Sequence, residues 1–238
     1  MYQSVFKRYE MKYLLTQQQK QRLLAEMAPY MQLDQYGRTT IRNIYFDTED
    51  YRLIRHSMEK PAYKEKLRLR SYEQAGETDP VFVELKKKYD SVVYKRRVVM
   101  PQQQAIRWLC NGEPQPETSQ ILREIEYFRS FYETLRPTVF LSYEREAYYC
   151  TNGEDFRVTF DENILSRQEN ISLSSEPGGI PLLPEGMVLL ELKTPGGIPL
   201  WMSRFLSRER IFKTSFSKYG TAYRDQIFSR NKEEHNYV

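Results

Sequence analysis

Along the chain, apolar and polar positions alternate with a period of two over several short runs, and the period lengthens to that of a helix between them. Alternation puts residues i, i+2 and i+4 on one face of a strand, whereas recurrence every three or four residues marks one side of a helix. The first strand is expected at FKRYEMKYL, 6–14. Thr16 then caps a helix running to about Met27, with Leu23, Leu24 and Met27 on one side and Pro29 near its end. IRNIYFD, 41–47, reads as a strand, and TEDYRLIRHS as a short helix capped by Thr48. Three strands follow, AYKEKLRLRSY (62–72), VFVELKKKY (81–89) and VVYKRRVVM (92–100). The breaks at AGETDP and YDS make them consecutive antiparallel neighbours. Pro101 opens a helix carrying Ile106, Trp108 and Leu109, and a longer helix spans about Ser119 to Leu135 with Ile121, Ile125, Phe128 and Tyr132 at helical spacing. Pro137 closes it, and strands resume at TVFLSYEREAYYC (138–150), FRVTFD (156–161) and MVLLELK (187–193). A loop rich in Ser, Pro and Gly (166–186) separates the last two, and PLWMSRFLSRE and SKYGTAYRDQIF read as C-terminal helices. About eight strands with helices inserted between them predict an α+β fold with a barrel-like antiparallel sheet.

Composition narrows the class. The 238 residues fit one domain, 1–238, and 40% hydrophobic with 29% charged residues exclude a disordered or fibrous chain. The 19 Tyr and 12 Phe favour strands. A net charge of +4 is mild, so any anion site must come from placement rather than total charge, and nucleic acid is not an expected partner. Cys110 and Cys150 have no metal-binding spacing and read as thiols of a reducing compartment. His56 and His235 are isolated, which speaks against histidine-based catalysis or metal binding. The N-terminus lacks an apolar leader core and no stretch approaches the roughly 18 apolar residues of a membrane span. A cytoplasmic protein without membrane insertion is expected.

The charges are not scattered. Arg8, Glu10 and Lys12 share one strand face, and Lys64, Lys66, Arg68 and Arg70 share another, opposite Tyr63, Leu67 and Leu69, with Glu65 interrupting that apolar side. Glu84, Lys86 and Lys88 lie opposite Val81, Val83 and Leu85, and Lys95 shares a face with Arg97. Arg145 sits with Tyr143 and Tyr149, Arg157 with Asp161, and Glu191 with Lys193 opposite Val188, Leu190 and Leu192. One arrangement is a solvated sheet with its polar side out. Against it, these positions carry almost no Ser, Thr or Gln, and the amphipathic helices need an apolar surface to cover. A sheet curled with its charged face inward supplies that surface outside. Burying so many unpaired cations would cost several kcal/mol each. Such a lumen must therefore be wet and suited to a polyanion. The guanidinium fork matches phosphate and Lys supplies a point charge, so a series of them suits phosphates in series. Glu10, Glu84, Asp161 and Glu191 are oxygen donors suited to Mg²⁺ or Mn²⁺, although each also reads as a salt-bridge partner for a neighbouring Lys. Glu191 is the leading metal candidate, because it interrupts the apolar run VLLELK.

At these residues the sequence resembles the VTC domain, the polyphosphate polymerase domain of the vacuolar transporter chaperone family, within the CYTH-like triphosphate tunnel metalloenzyme superfamily. The segments that carry the resemblance are FKRYEMKY, IYFD, KLRLRSY, VFVELKKK, YKRR, YEREAY, RVTFD, LLELK and SFSKYG, in family order from about residue 6 to 225. The resemblance implies a closed eight-stranded antiparallel tunnel, with helices outside and at the C-terminus, that binds ATP and metal and transfers the γ-phosphate to a growing polyphosphate with release of ADP. It implies phosphate contacts from Lys12, Arg68, Arg70, Lys86, Lys95 and Arg145, and metal at Glu191. Lys218 of the SKY motif would reach the transferred phosphate, so Lys218, Arg68, Arg70 and Lys12 are the candidate catalytic residues. Arg8, Lys66, Arg97, Arg157 and Lys193 are further phosphate-binding candidates, and Glu10, Glu84 and Asp161 further metal candidates. Hydrolytic relatives carry ExExK on the first strand, where this chain reads Arg8-Tyr9-Glu10-Met11-Lys12, which disfavours a two-metal hydrolase. Coupling of synthesis to export would need a separate membrane-protein partner. A hydrolase of triphosphates using the same tunnel, and a non-catalytic binder of polyphosphate or RNA, are the competing readings; RNA would call for exposed aromatics among the basic residues.

Overall fold

The computed structural model describes residues 9–90, 92–115 and 119–228; Arg8 and His235 lie outside the described residues. Strand β1 (Tyr9–Thr16) passes directly into helix α1 (Gln17–Met27). The switch is made by a capping box: the Gln19 amide donates to Thr16 Oγ1 and the Thr16 amide to Gln19 Oε1. β2 (Met31–Asp47) leads to α2 (Arg52–Met58), whose Arg52 amide donates to Thr48 Oγ1. β3 (Tyr63–Ser71), β4 (Pro80–Tyr89) and β5 (Val92–Pro101) then form an antiparallel meander. Helices α3 (Gln102–Asn111) and α4 (Gln120–Tyr132) follow, the second capped by Ser119 Oγ. β6 (Arg136–Cys150), β7 (Arg157–Arg167), the short β8 (Ile180–Pro181) and β9 (Met187–Thr194) precede α5 (Leu200–Arg208). The short β10 (Lys213–Thr214) is followed by α6 (Lys218–Ala222), which continues as a π-helical turn, Tyr223–Phe228.

All ladders are antiparallel, in the order β10-β1-β9-β7-β6-β2-β3-β4-β5, with β8 on β7. The fold is α+β, as expected. The sheet has ten strands rather than eight, β8 and β10 contributing two residues each, and among the described residues no ladder joins β5 to β1 or β10. β2 is also longer than its apolar run suggests. Its first half, QLDQYGRTT, has no alternating pattern and is held by backbone pairing with β6, broken between Leu33 and Arg38 where Gly37 takes φ +61°.

Although β1 and β4 stand six ladders apart, Lys86 Nζ on β4 donates to Glu10 Oε2 on β1 at 2.8 Å. The sheet therefore curls until its polar faces meet. The outward apolar faces are covered by helices. Leu67, Leu69, Val81, Val83 and Leu85 pack under Trp108 and Leu109 of α3 and Ile125 and Phe128 of α4. Val158, Phe160, Val188, Leu190 and Leu192 pack under Leu23 and Met27 of α1 and Met202 and Phe205 of α5. Each such side chain, fully buried, contributes about 1.5–3 kcal/mol. A third cluster lies on the concave side. Tyr45, Val139, Leu141 and Tyr143 share a strand face with the charges and receive Tyr219, Ala222, Tyr223 and Ile227 of the C-terminal helix. Tyr219 anchors it, its hydroxyl donating to Asp47 Oδ2 at 2.8 Å and lying 3.2 Å from Thr138 Oγ1.

Candidate functional site

The concave face carries two carboxylate centres, each ringed by cations. The first is built on the meander. Cross-strand register puts Arg68, Glu84 and Arg97 side by side on β3, β4 and β5. Glu84 is 1% exposed and lies within 2.6 Å of Arg68, 2.6 Å of Lys95, 2.5 Å of Arg97 and 3.9 Å of Arg70. Burial alone would raise its pKa, but Arg68, Arg70, Lys95 and Arg97 hold it well below the carboxylate range. The arginines are braced from β2 and β6: Arg68 donates to the Tyr45 hydroxyl, and Arg70 to Asn43 Oδ1 and the Tyr143 hydroxyl. Burial lowers Lys95 to about 7, with Arg68, Arg70 and Arg97 adding to the effect and Glu84 opposing it.

The second centre lies on β1, β9, β7 and β6. Register sets Glu10 beside Lys193, Lys12 beside Glu191, and Arg145 beside Asp161. Arg145 donates to both oxygens of Asp161 (2.6 and 2.7 Å) and lies 3.4 Å from Glu191. Lys218, at the first residue of α6, reaches in from the C-terminal segment. Its Nζ donates to Asp161 Oδ2 at 2.5 Å and to Glu191 Oε1 at 3.2 Å, so it bridges the two carboxylates. Lys12 (3.6 Å) and Lys193 (3.3 Å) complete the ring around Glu191. Burial works to raise Glu191, and Lys218, Lys193, Lys12 and Arg145 overcome it and hold it well below its ordinary value. Burial works against the Lys218 ammonium, which Asp161 and Glu191 nevertheless stabilise above the ordinary Lys value. Glu10, paired with Lys86, is brought down to about 2 by Lys86 and Lys193 against burial.

The segment before α6 ties the two centres together. Lys12 Nζ on β1 donates to the Phe216 carbonyl at 2.9 Å, and Lys66 Nζ on β3 donates to Ser217 Oγ at 3.2 Å. Burial, followed by repulsion from Lys12, Lys86, Lys64 and Arg68, lowers Lys66 to about 7. Of the residues singled out in the sequence, Lys12, Lys66, Arg68, Arg70, Lys86, Lys95, Arg97, Arg145, Lys193 and Lys218 therefore share this face with Glu10, Glu84, Asp161 and Glu191. Arg157 lies beside Lys193 on β7 but is exposed, at the rim. Ser217, Tyr45, Asn43 and the orphaned hydroxyl of Thr159 were not singled out. Thr159 Oγ1 is buried without a hydrogen-bond partner and stands directly opposite Glu191. Tyr45, Thr159 and Ser217 fall within IYFD, RVTFD and SFSKYG, but nothing in those segments assigned them a role.

A cavity of about 620 Å³ also opens between α2, the start of β3 and α4, on the outer side. It is apart from the converging charges and accounts for Glu65. That carboxylate accepts from the hydroxyls of Tyr63 and Tyr132 and lies 3.8 Å from Lys87.

The family model for the VTC domain matches residues 7–226. The chain belongs to the VTC domain family. No curated protein matches its sequence. Among solved structures, this VTC-family chain shares its fold with a Bacillus halodurans protein provisionally assigned as an adenylate cyclase, at 17% identity and a TM-score of 0.54 over 89% of this chain and 96% of that one. A Vibrio parahaemolyticus protein with the same provisional assignment (10% identity, TM-score 0.48, 92% and 98% covered) is too loosely similar to carry weight. The same holds for the Mimivirus capping enzyme triphosphatase (11%, 0.38, 86% and 89%).

Whether the VTC-family residues fit a divalent cation can be judged from the donors. Among the described residues, no three His, Cys, Asp or Glu side chains converge. Glu84 is a lone carboxylate among four positive side chains and suits a metal less well than Asp161 and Glu191, which set two carboxylates against the four cations Lys12, Arg145, Lys193 and Lys218. Asp161 and Glu191, with the unsatisfied hydroxyl of Thr159 two residues before Asp161 on β7 and opposite Glu191, do fit a hard ion that takes one or two protein carboxylates and completes its shell with phosphate and water. Among the described residues no helix is long and apolar enough to cross a membrane.

Proposed function

We propose that this protein is a polyphosphate polymerase that moves the γ-phosphoryl group of ATP onto the end of a polyphosphate chain in the cytoplasm. The observation that carries this reading is Lys218, held at the junction of two cation-ringed centres on one concave face. Segment 214–218 would complete the tunnel where the strands leave a seam. A terminal oxygen of the acceptor chain attacks the γ-phosphorus, and the bond to the β,γ-bridging oxygen breaks. ADP leaves with that electron pair. The attacking oxygen is already anionic, so no general base is required, and the site supplies positioning and charge.

In this reading Arg68, Arg70 and Arg97 grip the nucleotide phosphates by their forks, and Lys12 and Arg145 hold the transferred group. Lys218 exchanges a carboxylate for a phosphoryl oxygen whose charge grows in the transition state. Losing such a donor lowers turnover by about 10²–10³-fold. Glu191 and Asp161 would hold Mg²⁺ or Mn²⁺, which would offset charge on the phosphates when bound. A membrane protein remains a candidate partner for export of the product. The fold shared with the Bacillus halodurans protein assigned to nucleotide cyclisation is compatible with a nucleoside triphosphate substrate.

The test is to incubate purified protein with ATP and Mn²⁺ and resolve the products. Polyphosphate that a polyphosphatase digests, formed with stoichiometric ADP, supports the reading. Orthophosphate as the only phosphate product assigns the tunnel to hydrolysis instead.

A further inference from the structure

Asp47 is ionisable, buried and unused by the proposed chemistry. It closes β2, is 0% exposed and, among the described residues, forms no ion pair. Its partners are neutral donors instead. Oδ1 accepts from the amides of Thr48 (2.9 Å) and Leu53 (2.8 Å). Oδ2 accepts from the Ile54 amide (3.0 Å) and from the Tyr219 hydroxyl (2.8 Å). Burial pushes the Asp47 pKa up, with the hydrogen bonds from Tyr219, Leu53, Thr48 and Ile54 opposing the shift.

Capping α2 explains why a carboxylate stands at 47, since three of its four bonds come from backbone amides around the start of that helix. It does not explain the phenol. Tyr219 is buried in the apolar cluster of the concave side, stacked on Tyr45 with ring centres 4.8 Å apart, and a Phe ring would fill the same space. The hydroxyl adds direction. Apolar packing lets a five-residue helix shift on its bed, whereas a hydrogen bond to an oxygen already fixed by amides sets its register. The contact between α6 and α2 is close: a Cβ on Gly220 would lie 3.2 Å from Ser217 Oγ and 3.9 Å from Ile54 Cδ1. Lys218 is the residue before Tyr219, so the register of α6 decides where its side chain starts toward Asp161 and Glu191. A lysine that exchanges a carboxylate for a phosphoryl oxygen must swing while its backbone stays in place, and catalysis is sensitive to such placement at the scale of 1 Å.

We infer that Asp47 is a positioning residue: through the Tyr219 hydroxyl it fixes α6 on α2 and thereby the point from which Lys218 reaches the site. The effect on turnover rests on the reading of Lys218 as the lysine that meets the transferred phosphate; the placement of Lys218 does not.

The test uses the full-length variant Tyr219→Phe, which keeps the ring and removes only the hydroxyl. The first readout is acylation of lysines by a water-soluble succinimidyl ester under native conditions, resolved site by site by mass spectrometry. Lys218 labelling should rise about fivefold or more by local loosening, while Lys20, buried on α1 between Glu146 and Glu162, should stay within about twofold. The second readout is turnover with ATP and Mn²⁺. The kcat should fall about 10- to 100-fold with KM within about threefold. In a Lys218→Ala background the same substitution should change turnover by less than about twofold, because its effect acts through Lys218. Asp47→Asn, where it folds, should match Tyr219→Phe in both readouts. Ile227→Val thins the same apolar cluster without touching the hydrogen bond, so it should lower the melting temperature and leave both readouts unchanged. Unchanged Lys218 labelling in Tyr219→Phe overturns the inference, as does an equal rise at Lys20, which would mean general loosening. Unchanged kcat, or a loss that multiplies fully with that of Lys218→Ala, overturns it too. If the unmodified protein makes no polyphosphate yet Lys218 labelling rises selectively, the positioning by Asp47 stands and the polymerase reading falls.

Discussion

Glu84 is the sharpest point at which to perturb the site. Its carboxylate is 1% exposed and touches three cations within 2.6 Å, with Arg70 at 3.9 Å. Glu84→Gln keeps the shape and removes the charge, leaving Arg68, Arg70, Lys95 and Arg97 facing one another. Removing one partner from a buried charge cluster costs about 3–5 kcal/mol. For a chain of this length that lowers the melting temperature by about 6–20 °C. The same substitution removes an anion that competes with phosphate for those cations. Tripolyphosphate should therefore bind the variant more tightly than the unmodified protein, and its addition should recover most of the lost melting temperature. Differential scanning fluorimetry across a tripolyphosphate titration reads both effects. A variant that melts normally would show that the four cations do not depend on Glu84. A variant that binds tripolyphosphate more weakly would show that Glu84 assists the ligand rather than standing in for it.

Two further outcomes follow from the same geometry. Lys218→Ala frees Asp161 and Glu191 from their bridge, so Mn²⁺ affinity without nucleotide should rise by about tenfold, or about 1.4 kcal/mol, while turnover falls; calorimetry showing weaker Mn²⁺ binding would remove those carboxylates from the metal site. Lys66 and Lys95, at about 7 when folded, bind fewer protons than in the unfolded chain between there and the ordinary Lys value, so ligand-free stability should rise with pH across that window. Tripolyphosphate affinity should fall over the same window as the ammonium groups discharge. Melts between about pH 6.5 and about pH 9, with and without the ligand, check both signs, and a flat profile would contradict them.

Much of the fold was legible because its strands are amphipathic in an unusual way. KEKLRLR and FVELKKK alternate long charged groups with Leu and Val, and that period alone assigns each residue to a face. Which face is concave was also accessible, since the helices carrying Trp108, Ile125, Leu23 and Phe205 require an apolar surface to cover. Periodicity could not reveal partners across the bore. Glu84 and Glu191 look alike in ELKK and ELKT contexts, yet the first is ringed by meander arginines and the second is bridged to Asp161 by a lysine from a distant helix. That difference arises from the curl of the sheet and from where α6 enters, and neither is written in local spacing. The first half of β2 escaped for a simpler reason: its backbone pairs with β6 while its side chains lack alternation. Thr159 escaped because a single hydroxyl in RVTFD carries no signal until its neighbour Glu191 is placed beside it.

The central claim is that phosphates lie against the concave charged face, between the Glu84 and Glu191 centres. A crystal structure with a non-hydrolysable ATP analogue and Mn²⁺ addresses it directly. The expected result is a triphosphate contacted by Arg68, Arg70 and Arg145, with Lys218 turned from Asp161 toward the terminal phosphate and the metal on Glu191. A nucleotide seated in the outer cavity beside Arg52 and Tyr132, with the Lys218–Asp161 contact intact, would contradict it.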